Sequence, residues 1–216
     1  MSPRGTDRYF AAGLETFPAA VAAAAVAARD SAFDLCVHPA TGQLLADLAA
    51  ALPAGARVGE TGTGTGAGVA WMASTAPPDA HIVSVEIDPG RVTTARRVLE
   101  GDQRVTILEA GVEALWDHGP FDLLVLDGGP GSGKEGHEPV SPRARLRAGG
   151  RIVIDDFTPT TEWPPRFGGE LDHPRLHWLT HPDLDSEEHL VAPDMAVVVG
   201  RLRPTRRDRL VRSSVP

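Results

Sequence analysis

Five carboxylates stand where short apolar runs end: Glu60, Glu86, Asp127, Asp155 and Asp156. The first is followed by a glycine-rich turn, Glu60-Thr-Gly62-Thr63-Gly64-Thr-Gly66-Ala-Gly68. Glycines there let the chain reverse sharply and bring backbone N–H groups close to a ligand. Glu86 follows Gly62 by 24 residues, a spacing at which an acidic side chain can bind both hydroxyls of a ribose. In an open parallel sheet all carboxyl ends face one crevice, so the five acids should converge. Such crowding is costly unless a cation sits among them. A sulfonium, an amino group or a divalent metal would each serve. Lys134, the only lysine, is a candidate catalytic base if desolvated, and an exposed charge on its Gly-rich loop if not.

The elements that must position these groups follow from hydrophobic period. Apolar runs alternate with helical stretches, as in a parallel sheet with crossover helices. An Ala-rich helix covers Ala19 to Ala28, and a second, from Thr41, carries Leu44, Leu45, Leu48 and Leu52 on one face. Strands are expected at Ala56 to Glu60, His81 to Glu86, Val105 to Leu108, Phe121 to Asp127 and Arg151 to Asp155. Helices run through Val69 to Met72, from the Asp88-Pro89 cap to Leu99, and near Val112 to Trp116. Strands around His189 to Ala192 and Met195 to Leu202 close the sheet as a hairpin. The expected fold is thus α/β, doubly wound, with a mostly parallel seven-stranded sheet and a C-terminal antiparallel hairpin. One domain should span 1–202, with N-terminal helices in 1–53 and a lid or insertion at 157–186. The basic stretch 203–216 reads as a disordered tail.

These segments resemble the class I S-adenosylmethionine-dependent methyltransferases, and within them the catechol and caffeoyl-CoA O-methyltransferase group. The resemblance rests on Pro39-Ala-Thr-Gly42-Gln-Leu-Leu, Val58-Gly-Glu-Thr-Gly-Thr-Gly-Thr-Gly66 and Val83-Ser-Val-Glu86-Ile-Asp88-Pro89. It continues through Phe121-Asp-Leu-Leu-Val-Leu-Asp127, Leu146-Arg-Ala-Gly-Gly-Arg-Ile-Val-Ile-Asp155-Asp156 and Val191-Ala-Pro-Asp194-Met-Ala-Val-Val-Val. It implies S-adenosyl-L-methionine as cofactor, with Gly62, Thr63, Gly64 and Gly66 around the methionine end and Glu60 beneath. Glu86 would take the ribose, the backbone at Ala110, Gly111 and Val112 would frame the adenine, and Asp127 would sit beside the methyl group. Metal-dependent members imply magnesium or another divalent cation at Asp127, Asp155 and Asp156. Two departures matter: Asp156 stands for an asparagine, and Asp127-Gly-Gly-Pro-Gly-Ser-Gly-Lys134 replaces an Asp-Ala-Asp-Lys run. The cofactor assignment survives both; metal use and the base stay open.

Competing motifs are weaker. Gly128 to Lys134 fits a phosphate-cradling G-x-x-x-x-G-K loop, but Glu135 follows where Ser or Thr should hold magnesium. Gly62 to Ala67 with Glu86 also fits a dinucleotide site, so an NAD-dependent oxidoreductase is the alternative from another class. A cofactor-binding protein without catalysis is a third, and an RNA or protein methyltransferase is the runner-up within the class. His173, His177 and His181 recur every fourth residue, but Pro174 and Pro182 should interrupt their helix, leaving surface or lid histidines. Trp163, Phe167 and Trp178 wall a substrate pocket or pack the insertion. Cys36 reads as a small buried hydrophobe.

Composition narrows the class. Residues 201–216 hold six arginines and one aspartate, so the rest of the −8 chain carries −13, a body that repels phosphate backbones. Nucleic acid is therefore not the expected partner; a small hydroxylated molecule is. One cysteine suits a reducing compartment, and the Ala-rich stretch is too short to span a bilayer, so the expected location is the cytoplasm. That apolar helix should pack on its own domain or on a second copy, which would make a homodimer.

Overall fold

The computed structural model describes residues 5–127, 130–134 and 136–205. The chain opens with helices α1 (Gly5–Ala12), α2 (Ala19–Asp30) and α3 (Pro39–Ala50). Strand β1 (Arg57–Thr61), helix α4 (Ala67–Ala73), strand β2 (His81–Glu86), helix α5 (Pro89–Val98) and strand β3 (Val105–Glu109) form the first winding. Helix α6 (Val112–Leu115), β4 (Phe121–Leu126), α7 (Pro142–Arg145) and β5 (Leu146–Phe157) follow. A two-stranded ribbon, β6 (Arg166–Phe167) and β7 (Glu170–Leu171), precedes α8 (His173–Thr180) and the hairpin β8 (Leu184–Ala192) and β9 (Met195–Leu202).

The main sheet has seven strands in the order β3-β2-β1-β4-β5-β9-β8. Strands β1 to β5 are parallel, and β9 joins β5 antiparallel. The doubly wound sheet with its C-terminal hairpin is therefore the expected one. Alternate residues of the central strands point into two separate cores. Leu123, Val125, Val153 and Val197 face α2 to α5, while Leu124, Leu126, Ile152, Ile154 and Val198 face Trp178 and Leu115. Burial on both faces is what a central parallel strand requires, and the continuous apolar runs supply it.

Several boundaries differ from expectation. Strand β5 begins at Leu146 because Phe121 of β4 pairs with that residue before the register shifts. The segment 157–186 is not all lid: α8 buries Arg175 and Trp178 completely, and Trp178 donates its indole N–H to the Ser132 carbonyl at 2.6 Å. Pro174 does not interrupt this helix. It occupies the first turn, where no N–H is needed, and Asp172 caps the turn by accepting from the Arg175 N–H. The arginine-rich end from 206 onward lies outside the described residues.

The Ala-rich helix α2 packs on its own domain, with Val21, Ala24, Ala25 and Ala28 fully buried. Its buried face is thus covered within one chain, while Val26 stays exposed. Tyr9 of α1 ties the N-terminal helices to the sheet layer. Its hydroxyl donates to the Val37 carbonyl at 2.8 Å and accepts from the Trp71 indole N–H at 3.0 Å. Gly42 of α3 is required beside it, since a Cβ there would lie 2.2 Å from the Trp71 ring nitrogen. Tyr9→Phe keeps the ring but orphans a buried donor and a buried acceptor, so it should destabilise the fold by about 1–3 kcal/mol. Urea unfolding followed by tryptophan fluorescence measures this; an unchanged midpoint would show that the N-terminal helices do not depend on the contact.

Candidate active site

Parallel pairing of β1, β2, β4 and β5 brings their carboxyl ends to one edge of the sheet. Glu60 lies near the end of β1, Glu86 ends β2, Asp127 follows β4, and Asp155 and Asp156 lie in the last turn of β5. The structure gathers them as two neighbouring half-sites.

The first half-site is the glycine turn. Gly64 adopts φ 56°, a left-handed conformation that costs glycine nothing, and its N–H donates to Glu86 Oε2 at 2.9 Å. The other oxygen, Oε1, accepts from the Ile87 and Asp88 N–H groups, each at 3.0 Å, and from Arg91 at 3.3 Å. Glu86 is thereby held as an oriented carboxylate beside the turn. Thr63 shares a 2.6 Å hydrogen bond with Ser84, and Ala110 donates its N–H to the Glu86 carbonyl. Gly111 then caps α6, and Val112 is buried, so Ala110 to Val112 form a wall next to the end of β2.

The second half-site is acidic and dry. Glu60 is 1% exposed and accepts from the Ser84 hydroxyl at 2.7 Å. Its other oxygen lies against Gly68, where a Cβ would be 2.1 Å away. Burial pushes the Glu60 carboxyl up to about 8 despite the Ser84 hydrogen bond, and Asp155 and Glu86 push the same way. Burial also raises Asp155, to about 6; Lys134 opposes that rise and Asp156 adds to it. Asp127 is driven well above the usual carboxylate range by burial first, then by Asp155, Glu60 and Asp156, with Lys134 again opposing.

A bulge shapes this end of β5. Ile154 pairs with Val198 and Phe157 with Ala196, so Asp155 and Asp156 together oppose the single residue Val197. Asp156 takes φ 62°, a conformation that aspartate tolerates better than most residues. The Lys134 ammonium donates to the carbonyl oxygens of both Asp155 and Asp156 and lies 4.3 Å from the centre of the Phe157 ring. Its loop is fastened by Trp178 on Ser132 and by the Val140 N–H on the Gly131 carbonyl. Lys134 is therefore not an exposed charge, and among the described residues no helix starts directly behind it. Beside it opens a cleft of 410 Å³ whose walls include Lys134, Asp156, Phe157, Phe167, Leu171 and Pro174.

Among the described residues no three His, Cys, Asp or Glu side chains are gathered so as to hold a metal ion. Asp127, Asp155 and Asp156 lie close enough to perturb one another, yet they do not form the shared cation cage that the resemblance implied. The bulge and the lysine explain this: the peptide groups of Asp155 and Asp156 already face a cation. His177 and His181 stack edge-on at 5.1 Å without a third ligand. Trp163 and Phe167 are exposed, whereas Trp178 belongs to the core. Ser84 and Arg91, which hold Glu60 and Glu86, escaped the motif reading; the signal for Ser84 was a hydroxyl inside an otherwise apolar strand.

Residues 60–157 match the family described as methyltransferase domain. The demethylmenaquinone methyltransferase of Clavibacter sepedonicus is 33% identical over 107 residues, 49% of this chain and 42% of that protein. A candidate O-methyltransferase of Mycobacterium bovis is 30% identical over 138 residues, 59% of this chain and 60% of that protein. The chain thus spans about half the length of the curated relatives it matches. The O-methyltransferase TomG of Streptomyces achromogenes, solved with S-adenosylmethionine, superposes with TM-score 0.67 at 21% identity over 94% of this chain and 100% of that one. An O-methyltransferase of Bacillus cereus, solved with S-adenosylhomocysteine, gives 0.63 at 18% identity over 92% and 97%. Among the described residues no helix is long and apolar enough to cross a membrane. The chain has the fold of the class I S-adenosylmethionine-dependent methyltransferases, and its residues 60–157 match the methyltransferase domain family.

Proposed function

We propose that the chain transfers the methyl group of S-adenosylmethionine to a hydroxyl oxygen of a small molecule. The observation that carries this is the glycine turn held between two carboxylates of different character. Glu86 is fixed by backbone N–H groups and Arg91, while Glu60 is buried and has no cationic partner among the described residues. A ribose diol needs an oriented acceptor pair, and a cationic amino acid end needs a buried carboxylate; the turn offers each at opposite ends. The acceptor lies in the cleft beside Phe157 and Phe167, at the carboxyl end of β5.

Methyl transfer is an in-line displacement. The acceptor oxygen forms a bond to the methyl carbon as the carbon–sulfur bond breaks and its electron pair returns to sulfur, leaving a neutral thioether. The acceptor proton must go to a base, and Asp127 is the residue we assign. A carboxylate raised by burial is a stronger base than a free one, and it faces the same crevice. The enzyme's other contributions are alignment and exclusion of water. No step is routed through a metal ion, since the described residues do not form a cage for one. The buried thiol of Cys36 fits a reducing compartment such as the cytoplasm.

Two outcomes check the cofactor half. Glu86→Ala should weaken S-adenosylhomocysteine binding by about 1.5–3 kcal/mol through loss of charge-assisted bonds. Calorimetry that found NAD bound in preference to S-adenosylhomocysteine would overturn the assignment. The second outcome concerns protons. In the free protein Glu60 is protonated below about 8, and a bound ammonium favours its ionised form. Cofactor binding at neutral pH should therefore release a proton, seen as an apparent enthalpy that varies with the buffer's ionisation enthalpy. Glu60→Gln should abolish that release. The sign for folding is the reverse of a salt-bridged acid: the folded state holds a proton that the unfolded state has lost. Stability is thus greatest below the ordinary carboxylate range and declines as pH rises toward 8. Ligand-free Glu60→Gln should consequently melt higher than the parent protein at neutral pH and above.

A further inference from the structure

The acidic half-site poses a problem of charge balance. Three carboxyl groups, the buried Glu60 and Asp155 and the half-buried Asp127, face one another across the ends of β1, β4 and β5. Burying such groups without a cation is strongly unfavourable. Among the described residues the neighbouring arginines are engaged elsewhere: Arg91 serves Glu86 at the far end of the turn, and Arg175 is engaged with Glu188 and the Thr158 carbonyl.

One cation does reach the crevice, and four observations fix it there. The bulge at Asp155 and Asp156 breaks the alternation of the strand, so that two successive carbonyls are presented together. Lys134 donates to both of them. The Phe157 ring covers it on the cleft side at 4.3 Å, and Arg175 lies 5.0 Å from that same ring, which locks the aromatic plane. The loop carrying the lysine hangs from the fully buried Trp178 through the Ser132 carbonyl. A lysine acting as base must surrender an ammonium proton, whereas carbonyl oxygens can only accept one. An ammonium satisfies every contact that holds Lys134, the two carbonyl oxygens and the aromatic face.

We propose that Lys134 is a built-in, charge-compensating cation of the acidic half-site, occupying by covalent tether the electrostatic role that a divalent ion would otherwise fill. It is a positioning residue rather than a base. This deepens the methyltransferase reading and rests on it for the purpose of the site, but the cation itself can be tested without turnover.

Because Lys134 is the only lysine, lysine labelled with nitrogen-15 gives a single side-chain ammonium resonance in the full-length protein. Its protons should exchange at least about tenfold more slowly than those of a solvated lysine, as buried hydrogen-bonded groups do. Phe157→Leu should move the resonance by removing the ring, and magnesium at about 10 mM should leave it unmoved. In parallel, manganese titrations read by electron paramagnetic resonance should show no saturable site in the parent protein at about 1 mM. Lys134→Ser, which empties the seat, should bind manganese about tenfold tighter or more. A solvent-exchanging ammonium, its displacement by magnesium, or a saturable parent manganese site lost in Asp155→Asn would each overturn the proposal. If Lys134→Ser fails to fold, Lys134→Arg replaces it, and saturable manganese binding to that charge-retaining variant counts against the proposal. Failure of the parent protein to bind S-adenosylhomocysteine would instead strike at the methyltransferase reading and leave the ammonium result standing.

Discussion

Parallel strands end together, and this constraint governs the rest of the molecule. A sheet wound in the order β3-β2-β1-β4-β5 delivers the last residue of every strand to one crevice, so a carboxylate placed there joins all the others. In water such a group would be solvated. Between two cores that bury both faces of the sheet, it is compensated by hydrogen bonds, by a cation, or by holding its proton. All three remedies are visible. Glu86 is met by N–H groups and Arg91, Asp155 and Asp127 share the influence of Lys134, and Glu60, which accepts from the Ser84 hydroxyl, is pushed up by burial to about 8.

These remedies depend on parts distant in sequence. The N-terminal helices close the glycine turn from above: Phe33 approaches Gly64 so closely that a Cβ there would be 2.9 Å from the ring. Cys36 and Thr65 meet at 3.7 Å, and Thr65 donates to the Ala24 carbonyl of α2. On the other side α8 supports the acceptor cleft through Arg175 and Trp178, both without exposed surface. The cofactor half is thus walled by residues before 40 and the acceptor half by residues after 156, with the regular sheet between them.

What could be read from sequence follows this division. Strand β2 was legible to the residue, His81 to Glu86, because an apolar run ends in an acid and is followed by a proline helix start. The glycine turn was legible because its function depends on local backbone freedom. The extension of β5 back to Leu146 was not, since Arg147 to Gly150 carry no apolar period and lie between the paired residues Leu146 and Arg151, where the register with β4 shifts. The position of Lys134 was illegible for the same reason. Glycines around it suggest freedom, whereas its loop is fixed by a tryptophan 46 residues away. Pro174 misled in the opposite way, since a proline that breaks a helix interior also begins one. The acidic strand ends were foreseen as a group; how their charge is divided was not, because desolvation and partner geometry are tertiary quantities.

The bulge at Asp155 and Asp156 joins the two halves into one device. A regular strand would send these successive carbonyls to opposite neighbours in the ladder, and a lysine could satisfy only one. Placing Asp156 at φ 62° frees both from β9 at the point where the sheet meets the cleft, and the freed acceptors need a donor. Lys134 supplies it, and in doing so carries a positive charge to the buried acids on one side and an aromatic wall to the cleft on the other. The same Phe157 ring is flanked by Arg175, which is anchored to β8 through Glu188. Backbone irregularity, charge balance and the shape of the acceptor cleft are therefore a single constraint: restoring the regular pairing of β5 would remove the seat of the cation and, with it, the wall against which a substrate must lie.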